Sequence, residues 1–181
     1  SAINNWEDRS SCILFGDGAG AAVVQAEEGE LYPSVAGSDG TMGHVLACES
    51  RVQNDWQKKE ADRKTYIDMD GTAVFKFAVR KMPEMAKSLM TQMHCTEADI
   101  DWFITHQANE RIIEAIAKRL KSDIAKFPMN IAECGNTSSA SIPILLDEMN
   151  RSGQLKDGQK IIMAGFGAGL SWGAVYMEWH A

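Results

Sequence analysis

Between Val74 and Trp179 the apolar residues of this 181-residue chain switch repeatedly between helical spacing and short unbroken runs, and that alternation leaves few folds open. Val74, Ala78, Met82, Met85, Leu89 and Met93 recur every three or four residues, which predicts an amphipathic helix. Trp102-Phe103-Ile104-Thr105 reads as a buried strand, and a second helix over 108–120 comes after it. A strand around 128–132, a helix over 139–150 and apolar strands over 160–165 and 173–179 complete the series. Strands alternating with helices predict an α/β fold, a three-layer α/β/α sandwich. Paired strands at both ends predict a mixed sheet, here of five strands.

The first quarter is organised differently. Runs at 12–15 and 21–24 flank Gly16-Asp17-Gly18-Ala19-Gly20, which predicts an antiparallel hairpin with glycines for turn geometry. A phosphate-binding loop would need a helix after the glycines, and 21–24 is strand-like. A third strand is expected over 31–36, then a charged excursion over 50–64. Pro83 should kink or break the long helix, whereas Pro143 is tolerable in the first turns of its own. No linker, repeat or low-complexity stretch divides the chain, so residues 1–181 are read as one domain.

With net charge −7 and pI near 5.1, the surface as a whole does not attract nucleic acid, and an anionic partner needs a local basic patch. Cys12, Cys48, Cys95 and Cys134 form no CxxC pair, so they read as buried small hydrophobes in a reducing cytoplasm rather than as a zinc site or disulfide framework. No apolar run reaches membrane-spanning length, and residues 1–5 lack the pattern of a signal peptide. Membrane insertion is not expected.

The chemistry points to two strand ends. His106 begins His106-Gln107-Ala108-Asn109 where strand gives way to helix, and Asn136 lies in Cys134-Gly135-Asn136-Thr137-Ser138-Ser139. Taken singly, His106 reads as a hydrogen-bonded strand-end histidine, Asn136 as a turn or helix cap, and 166–169 as a tight loop. Brought together at the carboxyl edge of one sheet, the His and Asn could donate two hydrogen bonds to one developing oxyanion, which makes carbanion chemistry possible.

Five motifs then carry a family resemblance through almost the whole chain. They are Leu14-Phe15-Gly16-Asp17-Gly18-Ala19-Gly20, Met69-Asp70-Gly71-Thr72-Ala73-Val74-Phe75-Lys76, His106-Gln107-Ala108-Asn109-Glu110-Arg111, Gly135-Asn136-Thr137-Ser138-Ser139 and Gly167-Ala168-Gly169-Leu170-Ser171-Trp172-Gly173. In this order they resemble the carboxyl-terminal half of the β-ketoacyl-[acyl-carrier-protein] synthases III, initiating condensing enzymes of the thiolase-like superfamily. The resemblance implies that His106 and Asn136 hold the malonyl thioester oxygen during decarboxylation. It further implies that the Ala168 N–H forms part of an oxyanion hole and that Phe166 gates the acyl site. Gly71, Phe75, Ala108 and Asn109 would line the phosphopantetheine tunnel. Arg111, Lys118 and Arg119 fall at spacings that can share one helical side, and with Lys76 they match positions that dock acyl carrier protein. Asn136 favours the initiating enzymes over the two-His elongating ones, and His106-Gln107-Ala108-Asn109 departs from the His-Pro-Gly-Gly of chalcone-synthase-like enzymes.

The same resemblance implies an acyl-CoA, such as acetyl-CoA, and phosphopantetheine-linked malonyl carrier protein as substrates, no permanently bound cofactor, and a homodimeric whole. It places the nucleophilic Cys in an amino-terminal half that would be this chain's first partner, since none of the four cysteines stands in the matching context. Leu170 replaces a common Phe. The rivals are a condensing enzyme of secondary metabolism and a non-catalytic carrier-binding module.

Overall fold

A computed structural model describes residues 3–24, 28–29, 31–48 and 66–180. Its strands are β1 (Ser34–Ser38), β2 (Leu46–Cys48), β3 (Ile67–Met69), β4 (Trp102–Thr105), β5 (Lys160–Gly167) and β6 (Ser171–Glu178). Its α-helices are α1 (Gly71–Gln92), α2 (Glu110–Leu120), α3 (Ile131–Cys134) and α4 (Ser141–Arg151).

The main sheet runs β1-β6-β5-β4, with β4 and β5 parallel and the other two pairings antiparallel. It is mixed, as expected, but has four strands among the described residues instead of five; β2 and β3 form a separate antiparallel ribbon. Period-two alternation distributes the apolar residues to both faces. Phe103 and Ile162 point into a core shared with α1 and α2, whereas their neighbours Ile104 and Ile161 pack with Leu145, Met149 and Leu155 on the α4 side. Each such side chain, when fully buried, contributes about 1.5–3 kcal/mol, so covering both faces stabilises the three layers.

Helix α1 starts where the Asp70 carboxylate accepts the Ala73 N–H at 3.0 Å. Val74, Ala78, Met82, Met85 and Leu89 of its apolar stripe are buried as the spacing predicts, Met93 stands half-buried just past its end, and the helix runs through Pro83 without a break. Proline cannot donate to the carbonyl four residues back, that of Val79. Arg119 of α2 supplies a substitute, donating from Nη1 to the Val79 oxygen at 3.2 Å. That bond and the burial of Pro83 explain why the proline does not end the helix.

Other expectations fail for identifiable reasons. The hairpin over 12–15 and 21–24 is absent: residues 11–14 form turns, Phe15 makes one parallel bridge to Asn136, and Val23 and Val24 lie exposed with no ladder partner among the described residues. Gly16 serves close approach and not reversal, since a Cβ there would stand 2.2 Å from the Cys134 carbonyl oxygen. The third strand is shifted to β1, leaving Leu31 exposed. The strand expected around 128–132 is replaced by a loop leading into α3, because the Gln107 side chain satisfies its backbone. Cys48 is exposed and Cys12, Cys95 and Cys134 are half-buried, so none of the four is a fully buried core residue. The charged stretch over 50–64 lies outside the described residues. No helix among those described is long and apolar enough to cross a membrane.

Candidate active site

β4 delivers His106 to the carboxyl edge of the sheet, where the His106 N–H donates to the Ala164 carbonyl of β5 at 2.9 Å. Gln107, fully buried, anchors the loops around this strand end. Its Nε2 donates to the Thr105 carbonyl at 2.9 Å and to that of Pro128 at 3.4 Å, and its Oε1 accepts the Asn130 N–H at 3.3 Å. Asn130 Nδ2 donates in turn to Glu148 of α4 at 2.7 Å. The turn Cys134-Gly135-Asn136, which follows α3 and not the expected strand, is thereby tied to the end of β4. Motif and spacing assigned Gln107 no role, although an amide buried beside a strand end is suited to satisfying loop backbone.

Asn136 is held from both sides. Its N–H donates to the Leu14 carbonyl at 2.8 Å and its carbonyl accepts the Gly16 N–H at 2.9 Å. Its Oδ1 accepts the Ser138 N–H at 2.9 Å, which fixes the amide plane and leaves Nδ2 as the side chain's donor. Gly135 makes the turn before it at φ +67°, a left-handed conformation in which a Cβ would also crowd Leu14 and Gly16. The turn reading of Asn136 is therefore correct, and it coexists with a place in the cavity wall.

His106 and Asn136 line one cleft of about 650 Å³. Every other residue expected at the reacting centre or the tunnel also lines it: Phe166 and Ala168 from the β5–β6 end, Gly71 and Phe75 from the start of α1, Ala108 and Asn109 before α2. A Cβ on Gly71 would meet nothing within 4 Å, so that position opens onto space and not onto protein. Asn109 also caps α2, its Oδ1 accepting the Arg111 N–H at 2.9 Å. The Ala168 N–H makes no hydrogen bond among the described residues, while the Ala168 carbonyl accepts the Ser171 hydroxyl at 2.9 Å. Leu170 is wholly buried with Val45, Val74 and Phe77. Lys76, Arg111, Lys118 and Arg119 are exposed on α1 and α2 and do not line the cleft, although Phe75 and Ile112, which do, adjoin Lys76 and Arg111.

The imidazole sits against the Phe166 ring, centroids 5.4 Å apart and nearly perpendicular, and its Nδ1 lies 2.7 Å from the Ser141 hydroxyl. Burial pushes its pKa down from the ordinary 6.5 to about 4, so the ring is neutral at physiological pH. Stability must then depend on pH. Below 6.5 the unfolded chain takes up a proton that the folded chain refuses until about 4. Stability therefore falls as pH drops through that window, by at most about 1.4 kcal/mol per pH unit. Hydrogen bonds from Ser10, Thr41 and Thr96 hold the Asp8, Asp39 and Asp99 carboxyls below their ordinary 3.8, so their contribution is lost only at lower pH. Urea midpoints at pH 7 and pH 5 should differ for the native chain, and His106→Asn should shrink that difference; an unchanged difference would contradict the buried neutral imidazole.

Known proteins resemble this chain in both sequence and fold. Residues 90–179 match the family model described as 3-oxoacyl-[acyl-carrier-protein] synthase III C terminal, and residues 1–40 match that of 3-oxoacyl-[acyl-carrier-protein] synthase III. The chain belongs to the β-ketoacyl-[acyl-carrier-protein] synthase III family. Among relatives of that name, the protein of Clostridium novyi is 45% identical over 182 residues, spanning 99% of this chain and 56% of its own length. That of Clostridioides difficile is 45% identical over 183 residues, with the same shares. The synthase III structure from Aquifex aeolicus superposes with a TM-score of 0.87 at 38% identity, covering 98% of this chain and 54% of the other. The chain thus spans about half the length of the curated relatives it matches. The family's thiolase-like α/β fold is the one described above.

Proposed function

We propose that this chain is the carboxyl-terminal half of a β-ketoacyl-ACP synthase III that condenses an acyl-CoA, such as acetyl-CoA, with malonyl-ACP to begin fatty acid synthesis. The observation that carries this reading is the meeting of His106, at the end of β4, and Asn136, in the turn after α3, in one cleft. A malonyl thioester entering past Phe75 and Asn109 would present its carbonyl oxygen to the His106 and Asn136 N–H groups. Loss of CO2 leaves two electrons on the α-carbon, and the charge they place on that oxygen is what the two donors stabilise. A neutral imidazole can donate its single N–H while being a far weaker acid than imidazolium, which suits a site that must not protonate the carbanion. The α-carbon then attacks the acyl thioester on a Cys of the amino-terminal half, forming the carbon–carbon bond. The tetrahedral oxyanion accepts the Ala168 N–H before the thiolate leaves.

The partners in this reading are the amino-terminal half, acyl carrier protein, CoA thioesters and a second copy of the whole enzyme, in the cytoplasm, with no permanently bound cofactor. Secondary metabolism is the alternative setting, favoured by likeness to the priming β-ketosynthase of the R1128 polyketide pathway, at 33% identity and TM-score 0.83. The deciding experiment fuses this chain to the amino-terminal part of the Clostridium novyi relative and assays condensation with malonyl-ACP. Failure to condense in a folded fusion would overturn the proposal in favour of a non-catalytic carrier-binding role.

Carrier docking is tested separately in that fusion. Arg111 and Lys118 stand seven residues apart on one side of α2, and both are exposed. Arg119 also holds the Val79 carbonyl, so its reversal would disturb α1 as well. Arg111→Glu with Lys118→Glu should slow association with malonyl-ACP most at low salt and leave acylation by acetyl-CoA unchanged. Kinetics with malonyl-ACP that stay the same across a salt series would remove these two residues from the docking surface.

A further inference from the structure

We propose that Ser141 is a positioning residue which holds His106 in the tautomer carrying its proton on Nε2, so that the ring presents a donor to the cleft. The proposal rests on the condensing role of His106 given above. Two arrangements are compatible with a separation of 2.7 Å between Nδ1 and the Ser141 hydroxyl. Either the hydroxyl donates to Nδ1, and Nε2 carries the ring proton, or Nδ1–H donates to the oxygen and Nε2 is a bare acceptor. The Gln107 backbone N–H decides between them, since it already points at the same oxygen from 3.4 Å. In the second arrangement that oxygen would receive two N–H donors, and the Ser141 proton would have no acceptor among the described residues. Ser141 is only 2% exposed, so water does not readily rescue it. An unmade donor at a buried site is among the costlier defects in a protein, and the first arrangement avoids it.

The support for Ser141 is rigid. It is the first residue of α4, whose Leu145 and Met149 pack against Ile104 of β4, two residues before His106. Phe166 stands edge-on to the imidazole, and a flip of the ring would break the bond to Ser141. Burial keeps the ring neutral, so which nitrogen bears the single proton determines whether His106 can donate toward the cleft at all.

The test uses the fusion enzyme with 15N-labelled histidine, reading the His106 tautomer from its ring nitrogen shifts and malonyl decarboxylation from kcat and KM. The native enzyme should show the proton on Nε2. Ser141→Ala should move the population toward Nδ1–H and lower kcat about tenfold or more with little change in KM, by analogy with the loss of outer hydrogen-bond partners elsewhere. Ser141→Thr keeps the hydroxyl and should restore both readouts. A native spectrum with the proton on Nδ1 overturns the proposal even if Ser141→Ala does not fold, as does Ser141→Ala with an unchanged tautomer and full kcat. Should His106→Ala leave decarboxylation intact, the catalytic reading of His106 fails, while the native tautomer still decides the assignment of Ser141.

Discussion

His106→Ala and Asn136→Ala, each made in the fusion enzyme, should lower malonyl decarboxylation by roughly two to three powers of ten, the usual consequence of deleting one oxyanion donor. Both side chains line the cleft, and Asn136 offers Nδ2 because the Ser138 N–H already engages its Oδ1. Neither generates the nucleophile in the proposed mechanism, so acylation by acetyl-CoA should stay near its native rate. Single-turnover acylation and carbon dioxide release, measured on the same preparations, separate the two steps. Equal loss of both in either variant would mean that the residue supports the site as a whole and does not stabilise the enolate. The double variant should lose less than the product of the single losses if the two donors share one oxygen.

An all-or-none difference is expected for acyl-enzyme formation. The fusion should take up one thioester-linked label from radiolabelled acetyl-CoA, and the present chain alone should take up none, because covalent catalysis needs an activated thiolate. None of its thiols is placed to supply one. Desolvation raises the Cys134 thiol, with Glu148 and Glu133 adding to the shift, and desolvation raises Cys95 beside Asp99 as well. Cys48 lines the cleft but stands exposed at the end of β2, and Cys12 makes no hydrogen bond to the His106 ring. Stoichiometric label recovered on a peptide containing Cys48 would show that this chain carries its own nucleophile.

Wherever local pattern and buried environment agree, the sequence was a sufficient guide. The stripe from Val74 to Leu89, the strand Trp102–Thr105 and the helix after Asn109 formed as their spacing predicts, because each has a layer to bury its apolar residues against. The place of His106 in the cleft was legible for a similar reason, since a polar residue just after an apolar strand is carried to the sheet edge, whereas Asn136 reaches the same cleft from a turn after α3. Where the pattern required a partner that the described residues do not offer, it misled. Val23 and Val24 end a strand-like apolar run yet stand exposed, and Pro128 and Asn130 of the segment at 128–132 bond the Gln107 side chain before the chain turns into α3, with no ladder formed.

Hydrophobic spacing and motif order by themselves determined the α/β class, the family, and His106 and Asn136 as the pair to test, since these depend on residue type and near-neighbour spacing. Tertiary structure alone decided that Arg119 would replace the hydrogen bond Pro83 cannot make, and that Gln107, Asn130 and Glu148 would tie the end of β4 to the loop and helix α3 that lead to Asn136. It also put the Ser141 hydroxyl on a ring nitrogen 35 residues away, in a setting that leaves the imidazole neutral. Interactions of that kind depend on the direction of single side chains across the fold. Hydrophobic periodicity fixes which face of an element is buried, but not which polar atoms meet once the faces have closed.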